Sequence, residues 1–352
     1  QQQQQQQQQQ RCTFSSLVKW SVDEDECGYK IGTITLNSPE TFNALTVEMG
    51  KEFDTLVTKL QHDLTTTTTY DDNTNPNPNR NVSAIVLCGA GDKAFSAGGD
   101  IQWLKSLTDN SVHGNVDLMF NFYNSFLGMR QKLHVPIIAA LTGPAMGAGA
   151  CLALACDLRI AAAATIDESD ESESSNSRSS NNSNHNNDRD TTTTNPRPQS
   201  RTQPRPILGF PFTKLGIPSG MGAIHLLQNV GQLSQSQVSE ILLFGKSLSG
   251  EEAYQLGLIN KLVPPQDVKS EAKKLAFELA SSHKYHPVAI RSMVRSIRSS
   301  IDENKLTDHL YKDAHAQAMC YARNDWGEGL RSRTPKSSYD DSPIHFDDYH
   351  SK

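Results

Sequence analysis

The chain has 352 residues, a net charge of −6 and a hydrophobic fraction of 36%. Its Lys and Arg residues are dispersed and form no basic stripe, which excludes the electrostatic footprint of a nucleic-acid binder. No apolar run reaches the length of a membrane span, and the cysteines at 12, 27, 88, 151, 156 and 320 have no CxxC pair or regular spacing, which excludes a zinc site or disulfide framework and fits a reducing compartment.

Residues 1–10 are all glutamine, and the first 20 residues read as a low-complexity N-terminus. The chain opens on Gln, so it reads as a fragment or processed form, with any targeting peptide out of view. A folded core is expected over 21–263. The segment YKIGTITLNSP reads as a strand stopped by Pro39. A helix follows, with Thr46 as its cap and Met49, Phe53, Leu56, Val57 and Leu60 at helical spacing. Residues 64–80 (LTTTTTYDDNTNPNPNR) lack the apolar residues that would offset ordering entropy and are expected to be a disordered insert.

VSAIVLCGAG, a continuous apolar run flanked by glycine, reads as a strand buried on both faces. After AFSAGGDIQWL comes a helical stretch around Leu118 to Leu133. VPIIAALTG is a second buried strand, and GAGACLALACDLRIAA supplies a helix and a third β-like run. A second polar insert is expected over about 165–206. Its acids from Asp167 to Glu173 and the arginines after them read as a solvated loop. Ser249 and Glu252 form a capping box, Gly257 ends that helix, and LINKLV is a short strand. A helical region is expected over 264–336, including VKSEAKKLAFELA and 303–323, and an acidic tail over 337–352. The alternation of strand, glycine turn and helix indicates an α/β domain.

Two glycine turns carry the chemistry. One strand ends in Ser96-Ala97-Gly98-Gly99-Asp100, and another leads to Gly147-Ala148-Gly149, where a helix begins. Backbone N–H groups at such turns are open to an oxygen that is becoming negative. Two turns facing one point would make an oxyanion hole for a carbonyl substrate, each donor contributing roughly 3 kcal/mol. The bland alternative is that these glycines only allow tight turns and close packing. A nucleotide loop at Gly89-Ala90-Gly91-Asp92-Lys93-Ala94 nearly fits GxGxxG/A, but the FSAGG that follows does not begin a helix.

The blocks LNSPETFNALT, AFSAGGDI, PIIAALTGPAMGAGACLALACDLRIAA, LGFPFTKLGIPSGMG and LSGEEAYQLGLINKLV together resemble the enoyl-CoA hydratase/isomerase (crotonase) superfamily. The resemblance implies a spiral of ββα units with a helical C-terminal part, assembled as a homotrimer or a hexamer. It implies an acyl-CoA thioester as substrate, no metal and no separate cofactor, with the thioester oxygen between the N–H groups of Gly99 and Ala148. Gly98, Asp100, Ile101 and Gln102 would lie beside the pantetheine arm.

The family's two catalytic glutamates fall, by motif, on Cys151 and Phe212. Neither can act as a carboxylate acid or base, a role worth roughly two to four powers of ten in rate. Cys151 reads either as a nucleophile or base, if its thiolate is stabilised, or as a small core residue. His113 and His225 are further candidate bases, set against surface or packing roles. RNDWGEGLR resembles the family's DxxEG ending. The reading is an enoyl-CoA hydratase or isomerase acting in acyl-CoA breakdown. The alternatives are a non-catalytic acyl-CoA binder and a decarboxylase or thioesterase on the same scaffold. Such breakdown suggests a mitochondrial location, and the terminal HSK is not a peroxisomal SKL.

Overall fold

The computed structural model describes residues 16–65, 81–163, 206–300 and 303–323. The disorder expected at residues 1–10, in the body of both inserts and in the acidic tail lies outside them, as does the RNDWGEGLR block after its first residue, Arg323. Elements run in the order β1 (Val18–Glu24), β2 (Lys30–Leu36), α1 (Val47–Thr65), β3 (Val82–Gly89), α2 (Ile101–Ser106) and α3 (Val112–Leu127). They continue with β4 (Ile137–Leu141), β5 (Ala145–Met146), α4 (Ala148–Leu154), β6 (Leu158–Ala162) and β7 (Pro206–Gly209). The remainder comprises α5 (Gln235–Leu243), β8 (Ser247–Ser249), α6 (Gly250–Gln255), β9 (Lys261–Val263), α7 (Val268–Ala280), α8 (Pro287–Ser300) and α9 (Glu303–Tyr321).

Six strands form one sheet in the order β1-β2-β3-β4-β6-β9. The β1–β2 hairpin is antiparallel and every other pairing in this sheet is parallel. In β3 every residue but Ser83 is buried and β4 is buried throughout, so both faces are covered; hence the sequence shows a continuous apolar run where a half-exposed strand would alternate. Helix α7 lies across β2, β3, β4 and β6, while α1 and α9 pack on α3. A second, small sheet has the order β5-β7-β8.

Several expectations shift at their edges. The sheet begins at Val18, ahead of the boundary placed at residue 21, and β1 pairs along its whole length with β2. Helix α1 runs to Thr65, so the first two residues assigned to the insert belong to it. The Thr46 hydroxyl accepts from the Met49 N–H at 3.1 Å and caps this helix. Ser249 and Glu252 form the full reciprocal capping box, and Gly257 has φ +74°, which a side chain would disfavour. The stretch expected as one helix through Leu133 breaks at Gly128 and resumes for a single turn, Met129–Lys132.

Candidate functional site

The two glycine turns emerge from the carboxyl ends of the neighbouring parallel strands β3 and β4, the end of an open α/β sheet at which ligands bind. They are bonded to each other along their length. Phe95 and Ser96 both donate to the Pro144 carbonyl, at 3.0 and 3.2 Å, and Met146 donates to the Ser96 carbonyl at 2.9 Å. Contact is close enough to exclude side chains. A Cβ on Gly149 would sit 2.8 Å from both the Ser96 Cβ and the Ser96 carbonyl oxygen. One on Gly98 (φ +97°) would sit 2.5 Å from the Met146 carbonyl oxygen and 3.6 Å from the Ala148 nitrogen.

The loop before α1 supplies a third wall. Asn43 is fully buried with φ +55°. Its amide donates to the Ala90 and Ala94 carbonyls at 3.0 and 3.1 Å and accepts from the Ser38 N–H at 3.0 Å. The Ser96 hydroxyl donates to the Asn43 carbonyl and accepts from the Gly98 N–H. Leu45 then bonds on either side of Gly99: its N–H donates to the Gly98 carbonyl at 2.7 Å and its carbonyl accepts from Asp100 at 3.1 Å. These bonds engage the Gly98 carbonyl and the Gly98 and Asp100 N–H groups on either side of Gly99 but not its own N–H.

Among the described residues, neither the Gly99 N–H nor the Ala148 N–H has an acceptor. Both residues are half-buried within largely buried segments. Gly147 donates to the Gly209 carbonyl at 2.8 Å and takes φ +50°, which turns the chain so that Ala148 starts α4. Asp100 caps α2, accepting from the Gln102 N–H at 2.8 Å; Gln102 is exposed and Ile101 half-buried.

The sequence profile described as Enoyl-CoA hydratase/isomerase matches residues 26–169 and 202–340. The chain belongs to the enoyl-CoA hydratase/isomerase family. It is 25% identical over 301 residues to a short-chain-enoyl-CoA hydratase of Clostridium acetobutylicum, covering 86% of this chain and 90% of that one. It is 26% identical over 311 residues to a protein of Dictyostelium discoideum named "Probable enoyl-CoA hydratase, mitochondrial", covering 87% of each. The crystal structure of an enoyl-CoA hydratase/isomerase from Mycobacterium paratuberculosis superposes with a TM-score of 0.62 at 19% identity, over 91% of this chain and 99% of that one. The fold is therefore the crotonase fold of this family.

Next to the open turns, the wall that carries the motif positions of the family's glutamates is closed. Cys151 is fully buried in α4 and its thiol donates to the Gly220 carbonyl at 3.6 Å. Burial, with the Asp313 carboxyl as a second cause, pushes its pKa far up, so it stands as a neutral thiol. That environment is the opposite of the one a nucleophilic thiolate needs. Phe212 is 6% exposed and packs toward Gly147, where a Cβ would lie 3.9 Å from its ring. His113 is exposed on the first turn of α3. His225 is buried, with its ring centroid 5.3 Å from that of His309 and its Nδ1 3.3 Å from the Asn229 amide.

Behind Cys151 lies a polar cluster that the sequence reading did not single out. The Asp313 carboxylate, on α9, accepts from the Gly222 N–H at 2.8 Å, and its burial raises its pKa to about 7. Gln317, one helical turn on, accepts from the Tyr123 and Tyr321 hydroxyls at 2.7 and 2.9 Å and donates to the Pro218 carbonyl at 2.9 Å. Helix α9 thus holds the Pro218–Gly222 turn against Cys151. The signal available in the sequence was an acid and an amide at i, i+4 on a helix, a spacing more common on solvated faces.

Proposed function

We propose that the protein binds an acyl-CoA thioester and stabilises its enolate through the backbone N–H groups of Gly99 and Ala148. One observation carries the reading: two neighbouring turns, bonded to each other, leave these two donors without an acceptor among the described residues. Negative charge that develops on the thioester oxygen would meet two fixed donors that need no reorganisation, at roughly 3 kcal/mol each. Gly98, whose missing Cβ leaves the approach to the Ala148 nitrogen open, and the Asp100–Gln102 start of α2 would flank the pantetheine arm. The names of the relatives favour hydration of a 2-enoyl-CoA. No metal or separate cofactor enters the reading. It carries with it the family's trimer or hexamer, checked by sedimentation velocity, and a mitochondrial location like that in the name of the Dictyostelium relative.

The buried thiol at Cys151 and the phenyl ring at Phe212 favour a second reading, in which the protein binds acyl-CoA without hydrating it. Decarboxylation or thioester hydrolysis would use the same pair of donors. Loss of absorbance of crotonyl-CoA, measured beside calorimetric binding of butyryl-CoA, separates these readings. Turnover above buffer supports the hydratase, and binding without turnover supports the second reading. Absence of both defeats the thioester site itself.

A further inference from the structure

At the opposite end of the parallel strands, away from the glycine turns, lies a cavity of about 300 Å³ between the last turn of α1, the segment leading into β4, and α8. Four basic side chains line it: Lys132 and His134 from one side, Arg291 and Arg295 from the other. The two arginines are one helical turn apart and so share a face of α8. No carboxylate is in its lining among the described residues. Of the nearby acids, one is engaged elsewhere and one compensates a lining residue, Lys132. Asp157 pairs with buried Arg298, whose guanidinium also donates to the Arg130, Leu133 and Val135 carbonyls. Asp54 pairs with Lys132 at 2.5 Å.

The positive charge left uncompensated in the lining is that of Arg291 and Arg295, in a chain whose net charge is −6. Beside these charges one buried donor is unsatisfied. The Arg291 Nε is a buried donor with no partner among the described residues, a state that costs free energy unless a ligand satisfies it. The His134 pKa is lowered, by burial first and then by Arg295, Arg298 and Arg291. Leu64, Val135 and Val288 complete the lining with apolar surface.

We propose that this cavity is a binding site for a phosphate-bearing anion, separate from the thioester site. Arginine forks are matched to phosphoryl oxygens and bond them more strongly than neutral donors do. The volume exceeds that of one phosphate group, which points to a diphosphate or a phosphate ester whose organic part rests on Leu64 and Val288. The inference does not depend on the reaction at the glycine turns.

Calorimetric titration of the full chain with inorganic pyrophosphate at low ionic strength tests it. One saturable site per chain is expected, weakened about tenfold or more in R291Q/R295Q, since each substitution removes a charge-assisted contact, and weakened by added salt. No saturable binding, or equal binding by the double variant, overturns the proposal. A second readout guards against a variant that fails to fold: in the unaltered chain the His134 ring should titrate at higher pH once pyrophosphate neutralises its cationic neighbours. An unmoved His134 titration overturns the site as drawn. A parallel titration with ADP assigns the source of the phosphate. Tighter binding of ADP marks a nucleotide and tighter binding of pyrophosphate marks an inorganic anion; either order upholds the site.

Discussion

Two regions that touch each other use their polar groups in opposite ways. In the paired turns 95–99 and 144–149, the Ser96 hydroxyl and the Pro144, Ser96 and Gly98 carbonyls are bonded, while the Gly99 and Ala148 N–H groups have no acceptor among the described residues. In the wall formed by Cys151, the Pro218–Gly222 turn and α9, the polar side chains bond inward: Cys151 to Gly220, Asp313 to Gly222, Gln317 to Pro218 and two tyrosines. The difference teaches that the apparatus for binding a developing oxyanion and the apparatus for moving protons are separable. In the reading proposed here the first is kept, and the second has no carboxylate at its two motif positions, Cys151 and Phe212.

The largest effect should come from removing an open donor. Ala148→Pro deletes one N–H at the first position of α4, where a proline ring is tolerated. Acyl-CoA binding, or turnover if present, should fall by about 100-fold or more, while circular dichroism stays unchanged.

The closed wall should reveal itself through pH. Asp313 has a folded pKa of about 7, above its ordinary range, so the folded state holds a proton that the unfolded state has released between about pH 4 and 7. Stability should therefore be highest near pH 4 as far as this group is concerned, decline as pH rises to 7, and level off above it. The total is on the order of a few kcal/mol. Asp313→Asn should flatten that slope in urea titrations run across the range.

Asn43→Ala sharpens the contrast from the side of the turns. It leaves the Ala90 and Ala94 carbonyls and the Ser38 N–H without their buried partner. A loss of about 2–3 kcal/mol is expected, together with weaker ligand binding as the 95–99 turn loosens. The smallest effect is expected at Cys151. Cys151→Ala removes a neutral buried thiol, so binding and any turnover should change by less than about twofold, with a stability cost near 1 kcal/mol. A large loss of turnover would reopen a catalytic role for this residue.

Much of this arrangement was readable in the sequence, for identifiable reasons. Strands β3 and β4 announced themselves because burial on both faces forces unbroken apolar runs, and the α6 start because Ser249 and Glu252 form a local pattern. The glycines at 98, 147 and 149 pointed to close backbone approach, and positive φ at the first two, with the packing of Ser96 on the third, gives the reason. The small sheet was not readable, since β5 has only two residues and β8 three, too few to show a period. Helix α8 lies inside the region expected to be helical, 264–336, but was not singled out within it; its apolar residues Val288, Met293 and Ile297 are exposed. Asp313 was invisible for a different reason: its partner Gly222 is 91 residues away in sequence, and a lone acid on a helix reads as solvated. Asn43 lay within a recognised block, but only its buried contacts show that it braces the first turn.

The central claim is that the N–H groups of Gly99 and Ala148 grip a thioester oxygen. Isotope-edited infrared spectroscopy of butyryl-CoA labelled with ¹³C at the carbonyl measures this directly. The account predicts that the carbonyl stretch moves to lower frequency on binding, as two hydrogen bonds polarise it, and that most of this shift disappears in Ala148→Pro. A bound thioester whose carbonyl frequency equals that in water, or a shift that survives the substitution intact, would contradict it.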